Sequence, residues 1–306
     1  MSLVASVLNH PLLVLIFCAA IWGASASLYK IGSFYATGLE LAFLRLFVGG
    51  LCLVMICVMQ KKLVLKKKDI FNFLFIGLFN FAIPFLLIAK ASSFMDTGII
   101  TILNGFYPIF VAILSSLVLK QKMSRQSMFG VFLALCGFFM IYVNVFLKNS
   151  QININTIGVL MVVCANICYA IAVIFNKARC KDIDPIISSA FSISFGAICL
   201  MPFFASSFNF SNLLIPKFVL VILTIGIFGT AIAYYLYFLI IKKYGTSIAS
   251  MESFLIPIFG SFYGFLFFHE KITIFKIIGG LLILAGMKFL INFSFIKAIK
   301  DISKKV

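Results

Sequence analysis

Residues 97–137 read TGIITILNGFYPIFVAILSSLVLKQKMSRQSMFGVFLALCG, and residues 246–286 read TSIASMESFLIPIFGSFYGFLFFHEKITIFKIIGGLLILAG. The two segments align with a shift of 149 residues and no gap, and 11 of the 41 positions are identical. The matches include Pro108 with Pro257, Gly130 with Gly279 and Gly137 with Gly286. Apolar sequences share some residues by chance, but prolines and glycines matched in one register indicate an internal duplication.

The composition around this duplication is that of a membrane protein. Of the 306 residues, 63% are hydrophobic and 11% are charged, whereas soluble domains contain about 25% charged residues. This composition excludes a soluble enzyme, a nucleic-acid-binding domain and a disordered protein. Each spanning helix takes about 20 apolar residues, so ten fit and leave no room for a soluble domain. Apolar runs predict helices at 12–31, 39–59, 70–91, 97–119, 127–147, 156–176, 185–205, 217–241, 247–268 and 274–293.

The register and the charges together predict the topology. The register gives two five-helix domains, 1–150 and 151–306, and because five is odd the second must be inverted. With the N-terminus inside, 17 basic residues fall on the cytoplasmic loops and tail and 6 on the opposite side. This bias predicts a protein of the bacterial inner (cell) membrane with both termini cytoplasmic. The fold class is therefore an all-α polytopic membrane protein with ten transmembrane helices as two inverted five-helix repeats.

Short motifs in both units resemble those of EamA-type permeases in the drug/metabolite transporter superfamily. They are, in chain order, Ile21-Trp22-Gly23, Phe43-Leu44-Arg45, Pro-Ile-Phe at Pro108 and Pro257, and His269-Glu270-Lys271-Ile272-Thr273 followed by Gly279 and Gly286. The resemblance covers nearly the whole chain. It implies ten helices, a central cavity between the halves, and export or exchange of small metabolites such as amino acids. The family often places Glu directly before the helix 9 proline, where this chain has Ile256.

Two ionisable residues within predicted spans are candidates for function, because such groups are costly in a bilayer. Glu252 in the ninth span is a candidate to bind a substrate ammonium or to accept a coupling proton. The alternative is a structural partner for a polar group on a neighbouring helix. Arg45 in the second span is interpreted as a structural charge that pairs with Glu40 or extends to the membrane surface, with contact to an anion as the alternative.

Uncharged polar and aromatic side chains within the spans form the remaining candidate cavity. A buried amide, indole or phenol needs a partner, which is either another helix or a substrate. The resemblance implies that helices 1, 3, 4, 6, 8 and 9 line the cavity. Because neighbouring helix residues differ by about 100°, at most two of Tyr234, Tyr235 and Tyr237 can face it. The cavity candidates are Trp22, Asn80, Asn104, Tyr107, Asn166, Tyr169, Tyr234 and Tyr237, together with Glu252.

Prolines and glycines within the spans suggest mechanical roles. Pro84, Pro108 and Pro257 each remove a helical hydrogen bond and invite a kink, which either bends during gating or statically shapes the bundle. The glycines of helices 5 and 10 predict close helix packing. A homodimer through such glycine-rich faces is an open alternative.

These features favour a secondary transporter of a small amphipathic metabolite, either zwitterionic or cationic. Inverted repeats are typical of alternating-access transporters, and no Walker A loop is present for ATP hydrolysis. The partners expected are a small-molecule substrate, membrane lipid and a coupling proton, without nucleic acid, cofactor or metal. The alternatives are a non-transporting assembly or sensor protein and, last, an intramembrane enzyme. The sequence offers an enzyme no nucleophile–base or metal constellation, so no enzymatic activity is predicted.

Overall fold

The computed structural model describes residues 11–62, 66–91, 94, 97–120, 124–148, 155–205, 208–269 and 272–303. Helices occupy nearly all of this part of the chain. They are α1 Pro11–Gly32, α2 Gly38–Met59, α3 Lys67–Ala91, α4a Thr97–Asn104, α4b Tyr107–Val118, α5 Arg125–Lys148, α6 Thr156–Arg179, α7 Pro185–Ala205, α8 Pro216–Tyr244, α9a Thr246–Ala249, α9b Glu252–Phe268 and α10 Ile274–Ser303, with a short 3-10 turn at Phe210–Leu214.

A helix lies at each of the ten predicted spans and begins within three residues of the predicted start. Among the described helices, nine are long and apolar enough to cross a membrane. The tenth, α10, packs along α5 and continues to Ser303 instead of ending at residue 293. Long apolar runs predict spans well, because a bilayer leaves an apolar chain few alternatives to a helix.

Capping residues in the loops fix several helix ends. At the start of α2, the Thr37 side chain accepts from the Glu40 backbone N–H, and the Glu40 carboxylate accepts from the Thr37 N–H at 2.8 Å. This arrangement is a capping box. Gly245, the single residue that joins α8 to α9a, has φ +95°, a conformation that favours glycine. The two helices can therefore follow each other with almost no loop.

The helical elements recur in the 149-residue register. The straight helix Lys67–Gly77 corresponds to Pro216–Gly226, and each is followed by a π-helical segment, Leu78–Ala82 in α3 and Ile227–Ile232 in α8. A π-helical turn inside a transmembrane helix is a rare feature. Its recurrence at corresponding positions supports the duplication independently of residue identity. The boundary between the predicted domains, at residues 150 and 151, lies outside the described residues and stays a prediction.

Contacts between helices follow a pseudo-two-fold symmetry that relates the two inverted units. Corresponding helices pair with each other, α2 with α7 and α5 with α10. Helix α1 contacts α8 and α9, whereas its counterpart α6 contacts α3 and α4, the counterparts of α8 and α9. Together these contacts place α1, α3, α4, α6, α8 and α9 around the centre of the bundle.

Helices α5 and α10 run antiparallel and meet at their glycines. A Cβ atom at Gly137 would lie 2.5 Å from the carbonyl oxygen of Gly279, and one at Gly286 would lie 2.5 Å from that of Gly130. The predicted close packing is therefore present within one chain. It also occupies the glycine-rich faces, so they are not available for the homodimer contact left open above. A homodimer through another surface stays a prediction.

Both central discontinuous helices are interrupted near their prolines. Helix α4 breaks at Gly105 and Phe106, so Pro108 lies in the first turn of α4b, where a missing N–H costs little. The span is thus interrupted beside Pro108, and the role of this proline stays a prediction. Pro257 does lie inside α9b, and Pro84 follows the π-helical segment of α3. Their role in gating stays a prediction.

Candidate functional site

A cavity of about 260 Å³ lies at the centre of the bundle, between the two units. Seven helices contribute to it, which are α1, α2, α3, α4, α6, α8 and α9. Its lining residues are Trp22, Ser25, Arg45, Asn80, Phe85, Asn104, Tyr107, Asn166, Tyr169, Tyr234, Tyr237, Glu252, Ser253 and Ile256. The structure thus brings together all nine predicted cavity residues and Arg45. The pseudo-symmetric packing explains this convergence, because it directs the inner faces of both units to one point.

Four lining residues were not predicted, and three of them left a signal in the sequence. Ser25 lies three residues after Trp22 and shares its helix face, and Ser253 directly follows Glu252. Ile256 stands directly before Pro257, where the resemblance places a glutamate. Phe85 is an apolar residue in an apolar span, and nothing in the sequence separates it from side chains that face lipid.

Aromatic rings from both units form one wall of the cavity. The ring of Trp22 contacts Tyr234 and Tyr237 edge-on, with centroids 5.2 and 5.6 Å apart. The hydroxyls of Tyr107 and Tyr237 lie 2.7 Å apart and share a hydrogen bond between α4b and α8. Tyr235 is not part of the lining, as the rotation between neighbouring helix residues requires. The negative faces of such rings attract cations.

Arg45 is anchored to the π-helical segment of α8. Its Nε donates to the Thr230 Oγ1 at 2.9 Å, and its Nη2 donates to the Gly229 carbonyl at 2.7 Å. The Trp22 indole N–H donates to the same carbonyl at 2.9 Å. Arg45 is 8% exposed and its side chain does not extend to the membrane surface, which corrects that part of the sequence interpretation. The Gly229 carbonyl belongs to the π-helical turn, where backbone hydrogen bonds join residues i and i+5 instead of i and i+4. This irregular hydrogen bonding leaves the carbonyl able to accept from the two side chains.

Three lining side chains carry a buried polar atom that has no hydrogen-bond partner within the described part of the chain. They are the Asn80 Nδ2, the Asn104 Oδ1 and the Glu252 Oε2. Asn104 is the last residue of α4a and Glu252 the first of α9b, so both stand at helix interruptions. Asn166 differs, because its Nδ2 donates to the Leu103 carbonyl at 3.0 Å and ties α6 to the interrupted α4.

Polar contacts between the units lie beyond the cavity, toward the end predicted to be cytoplasmic. The hydroxyls of Ser115 and Thr246 are 2.7 Å apart, joining α4b to α9a. At the helix ends, Lys62 Nζ donates to Asp184 Oδ2 at 3.1 Å, and this hydrogen bond raises the pKa of the lysine ammonium. These contacts hold the two units together on that side of the cavity.

Metal-binding constellations are absent from the described residues, where no three His, Cys, Asp or Glu side chains come together. The site therefore consists of an aromatic wall, one guanidinium, one carboxylate and three carboxamides. Its chemistry is that of binding a small polar or charged group beside apolar surface.

Comparisons with known proteins agree with this architecture. The model of the EamA-like transporter family matches residues 10–143 and again residues 156–292. The uncharacterized transporter YoaV of Bacillus subtilis is 30% identical over 289 residues, covering 93% of this chain and 97% of that protein. An uncharacterized transporter of Archaeoglobus fulgidus is 24% identical over 284 residues, covering 92% and 98%. A crystal structure at 13% identity superposes with a TM-score of 0.77 over 94% of this chain and 98% of its own, a likeness of fold alone.

Proposed function

This chain belongs to the EamA-like transporter family of the drug/metabolite transporter superfamily and is a membrane transporter; on that premise we propose that it is a secondary active transporter of a small amphipathic metabolite. The substrate class is an amino acid or a related compound. Transport proceeds by alternating access, as export or exchange, across the bacterial inner membrane with both termini in the cytoplasm.

The observation that carries this proposal is the central cavity. It lies at the interface of two inverted repeats and at the interruptions of α4 and α9, where transporters of this architecture bind their substrates. Its lining combines aromatic rings with one carboxylate and one guanidinium, which suits a compound with an apolar part and a charged or zwitterionic end. A sensor or assembly protein needs no such cavity shared by both halves.

The mechanism we propose is a rocking of one repeat against the other. In the conformation described here, Ser115–Thr246 and Lys62–Asp184 hold the units together at the predicted cytoplasmic end. Opening toward the cytoplasm has to separate these pairs. The Lys62–Asp184 pair is exposed to solvent, so its separation costs little, whereas the buried Ser115–Thr246 hydrogen bond has to be replaced by water as that end opens. Glu252 is the group we assign to a coupling proton or to the substrate cation.

A thermal-shift screen of the purified protein against amino acids, nucleosides and cationic amines would identify the substrate class, since a ligand of the native state raises its melting temperature. Uptake of the stabilising compounds into proteoliposomes would then test transport directly. If none of these classes either stabilises the protein or is moved across the membrane, the proposed function is wrong.

Glu252→Gln tests the assigned carboxylate. We expect this variant to fold with an unchanged melting temperature, to lose most of the uptake, and to lose its dependence on an imposed pH gradient. Asp182→Asn, which removes a carboxylate from an exposed loop, is the matched control and should transport normally. Unchanged uptake with unchanged proton dependence in Glu252→Gln would remove this residue from the mechanism.

A further inference from the structure

We propose that the cavity recognises a protonated amine that still carries N–H hydrogens, bound by the Glu252 and Asn104 oxygens, on a molecule that also presents an acceptor oxygen to the Asn80 amide. This inference rests on the proposed function and specifies the hydrogen-bonding pattern of its substrate. It excludes quaternary ammonium compounds, which an aromatic wall alone would accept.

The unpaired polar atoms of the described residues are concentrated at the cavity. Buried polar atoms without a partner are rare in native proteins. Within the described residues four side-chain atoms are of this kind, and three of them line the cavity. Asn80 is 3% exposed and Glu252 is 5% exposed. The equally buried Asn166 and Thr230 have partners, so the packing could satisfy amides and hydroxyls elsewhere in the same region.

The chemical types of these atoms define the complementary ligand. The Glu252 Oε2 and the Asn104 Oδ1 can accept hydrogen bonds, whereas the Asn80 Nδ2 can only donate. A ligand that satisfies all three therefore offers at least two donors and one acceptor. A primary ammonium has three N–H donors, and a carboxylate, carbonyl or hydroxyl oxygen supplies the acceptor. A trimethylated ammonium has no donor and leaves both oxygens unsatisfied.

The charges of the lining residues favour a ligand cation beside Glu252. The carboxylate is the anionic group of the lining, and the aromatic residues Trp22, Tyr234 and Tyr237 line the same cavity. Arg45 donates to Thr230 and Gly229 of α8, and its positive charge repels a ligand cation from that side of the cavity. The cation of the ligand should therefore face α9 and α4, with its acceptor oxygen toward α3.

N-methylation provides the direct test on the unmodified protein. The probes are L-leucine and L-phenylalanine and their N-methyl, N,N-dimethyl and N,N,N-trimethyl derivatives, with binding measured by thermal shift and by isothermal titration. A hydrogen bond to a charged group is worth enough to weaken binding about tenfold or more when it is lost. We expect the primary amines to bind most tightly, successive methylation to weaken binding, and the trimethyl compounds to bind at least tenfold more weakly than the primary amines. Trimethyl compounds that bind as tightly as the primary amines would overturn the inference.

Three variants locate the interactions. Asn104→Asp keeps an acceptor oxygen and should bind the primary amines at least as tightly as the natural protein, whereas Asn104→Leu should weaken them tenfold. Asn80→Leu removes the donor without adding a charge, so it should weaken L-leucine while leaving isopentylamine, the same side chain without a carboxylate, unaffected. Equal effects of Asp and Leu at position 104 would contradict the assignment.

The outcomes separate this inference from the proposed function. One outcome is that nucleosides or quaternary ammonium compounds bind and are transported, while L-leucine, L-phenylalanine and their N-methyl and N,N-dimethyl derivatives do not bind. This outcome would overturn the inference and leave the transporter proposal standing. Failure of every class in both binding and transport would overturn both. The methylation series needs no substitution, so misfolding of a variant cannot obscure the result.

Discussion

The two π-helical segments, Leu78–Ala82 in α3 and Ile227–Ile232 in α8, occupy the same place in the two repeats but serve different purposes. In α8 the segment is an anchor, because the Gly229 carbonyl accepts hydrogen bonds from both Trp22 and Arg45. In α3 the residue that corresponds to Gly229 is Asn80, whose amide nitrogen has no partner and lines the cavity.

The residues around each segment explain the difference. The counterpart of Arg45 in the second repeat is Ser192, because the Arg45 carbonyl faces Gly226 as the Ser192 carbonyl faces Gly77. The Ser192 hydroxyl has no hydrogen-bond partner within the described residues. The α3 segment therefore has no anchor equivalent to that of α8. Duplication preserved the backbone irregularity, while divergence left the anchor in only one of the two copies.

The two segments share close helix packing at a glycine that precedes each of them. Substitution of these glycines should have the largest effect on stability. Gly77 and Gly226 precede the segments at corresponding positions, and each lets another helix approach. A Cβ atom at Gly77 would lie 2.8 Å from the Ser192 carbonyl oxygen, and one at Gly226 would lie 2.6 Å from the Val48 Cβ. Overpacking of this kind costs about 1–3 kcal/mol. Both Gly77→Ala and Gly226→Ala should therefore lower the melting temperature in detergent by similar amounts.

The control for this prediction is Gly260→Ala in α9b, where an added Cβ would meet nothing within 4 Å. Alanine is the better helix former by about 1 kcal/mol, so this variant should be as stable as the natural protein or more so. A large loss for only one of Gly77→Ala and Gly226→Ala would show that the two segments are not equivalent even in their packing.

The fold could be predicted from sequence because its determinants are local and strong. Ten apolar runs gave the spans, and the match of Pro108 with Pro257 gave the repeat. Most of the cavity was predictable for a related reason, since Asn80 and Glu252 stand out against apolar neighbours. The π-helical segments were not, because they depend on how closely α7 and α2 approach at Gly77 and Gly226.

The hydrogen-bond partners of Arg45 could not be predicted because they are far away in the sequence. Thr230 and Gly229 lie 185 and 184 residues away in the chain, and a local interpretation offered only Glu40. The carboxylate of Glu40 instead accepts the Thr37 N–H at the start of its own helix. Side-chain partners across an inverted repeat require the packing of the two units to be known.

Removal of the Arg45 anchor should produce the next largest effect, and only in the α8 segment. Arg45→Gln replaces two hydrogen bonds from a charged donor by those of a neutral amide, which are weaker by about 1 kcal/mol each. Trp22→Phe loses one neutral bond to the same carbonyl, worth about 0.5–1.5 kcal/mol. We expect a ranked loss of thermal stability, with Arg45→Gln the less stable. Because both side chains donate to Gly229, the double variant should deviate from additivity, and strict additivity would contradict a shared anchor.

The smallest effect on stability should come from substitution of Asn80, whose amide nitrogen has no hydrogen-bond partner within the described residues. Asn80→Leu replaces a buried amide whose nitrogen forms no hydrogen bond in the described structure, so the melting temperature should stay the same or rise. Thr230→Val is the matched substitution in α8. It removes a hydroxyl that accepts from Arg45 and donates to the Ile225 carbonyl, at a cost of about 1 kcal/mol. If Asn80→Leu destabilises the protein as much as Thr230→Val does, then Asn80 is a structural residue and the two segments differ less than their hydrogen bonds indicate. If it leaves stability intact while ligand binding is lost, the α3 segment retains a polar group that folding does not need, as expected of a binding residue.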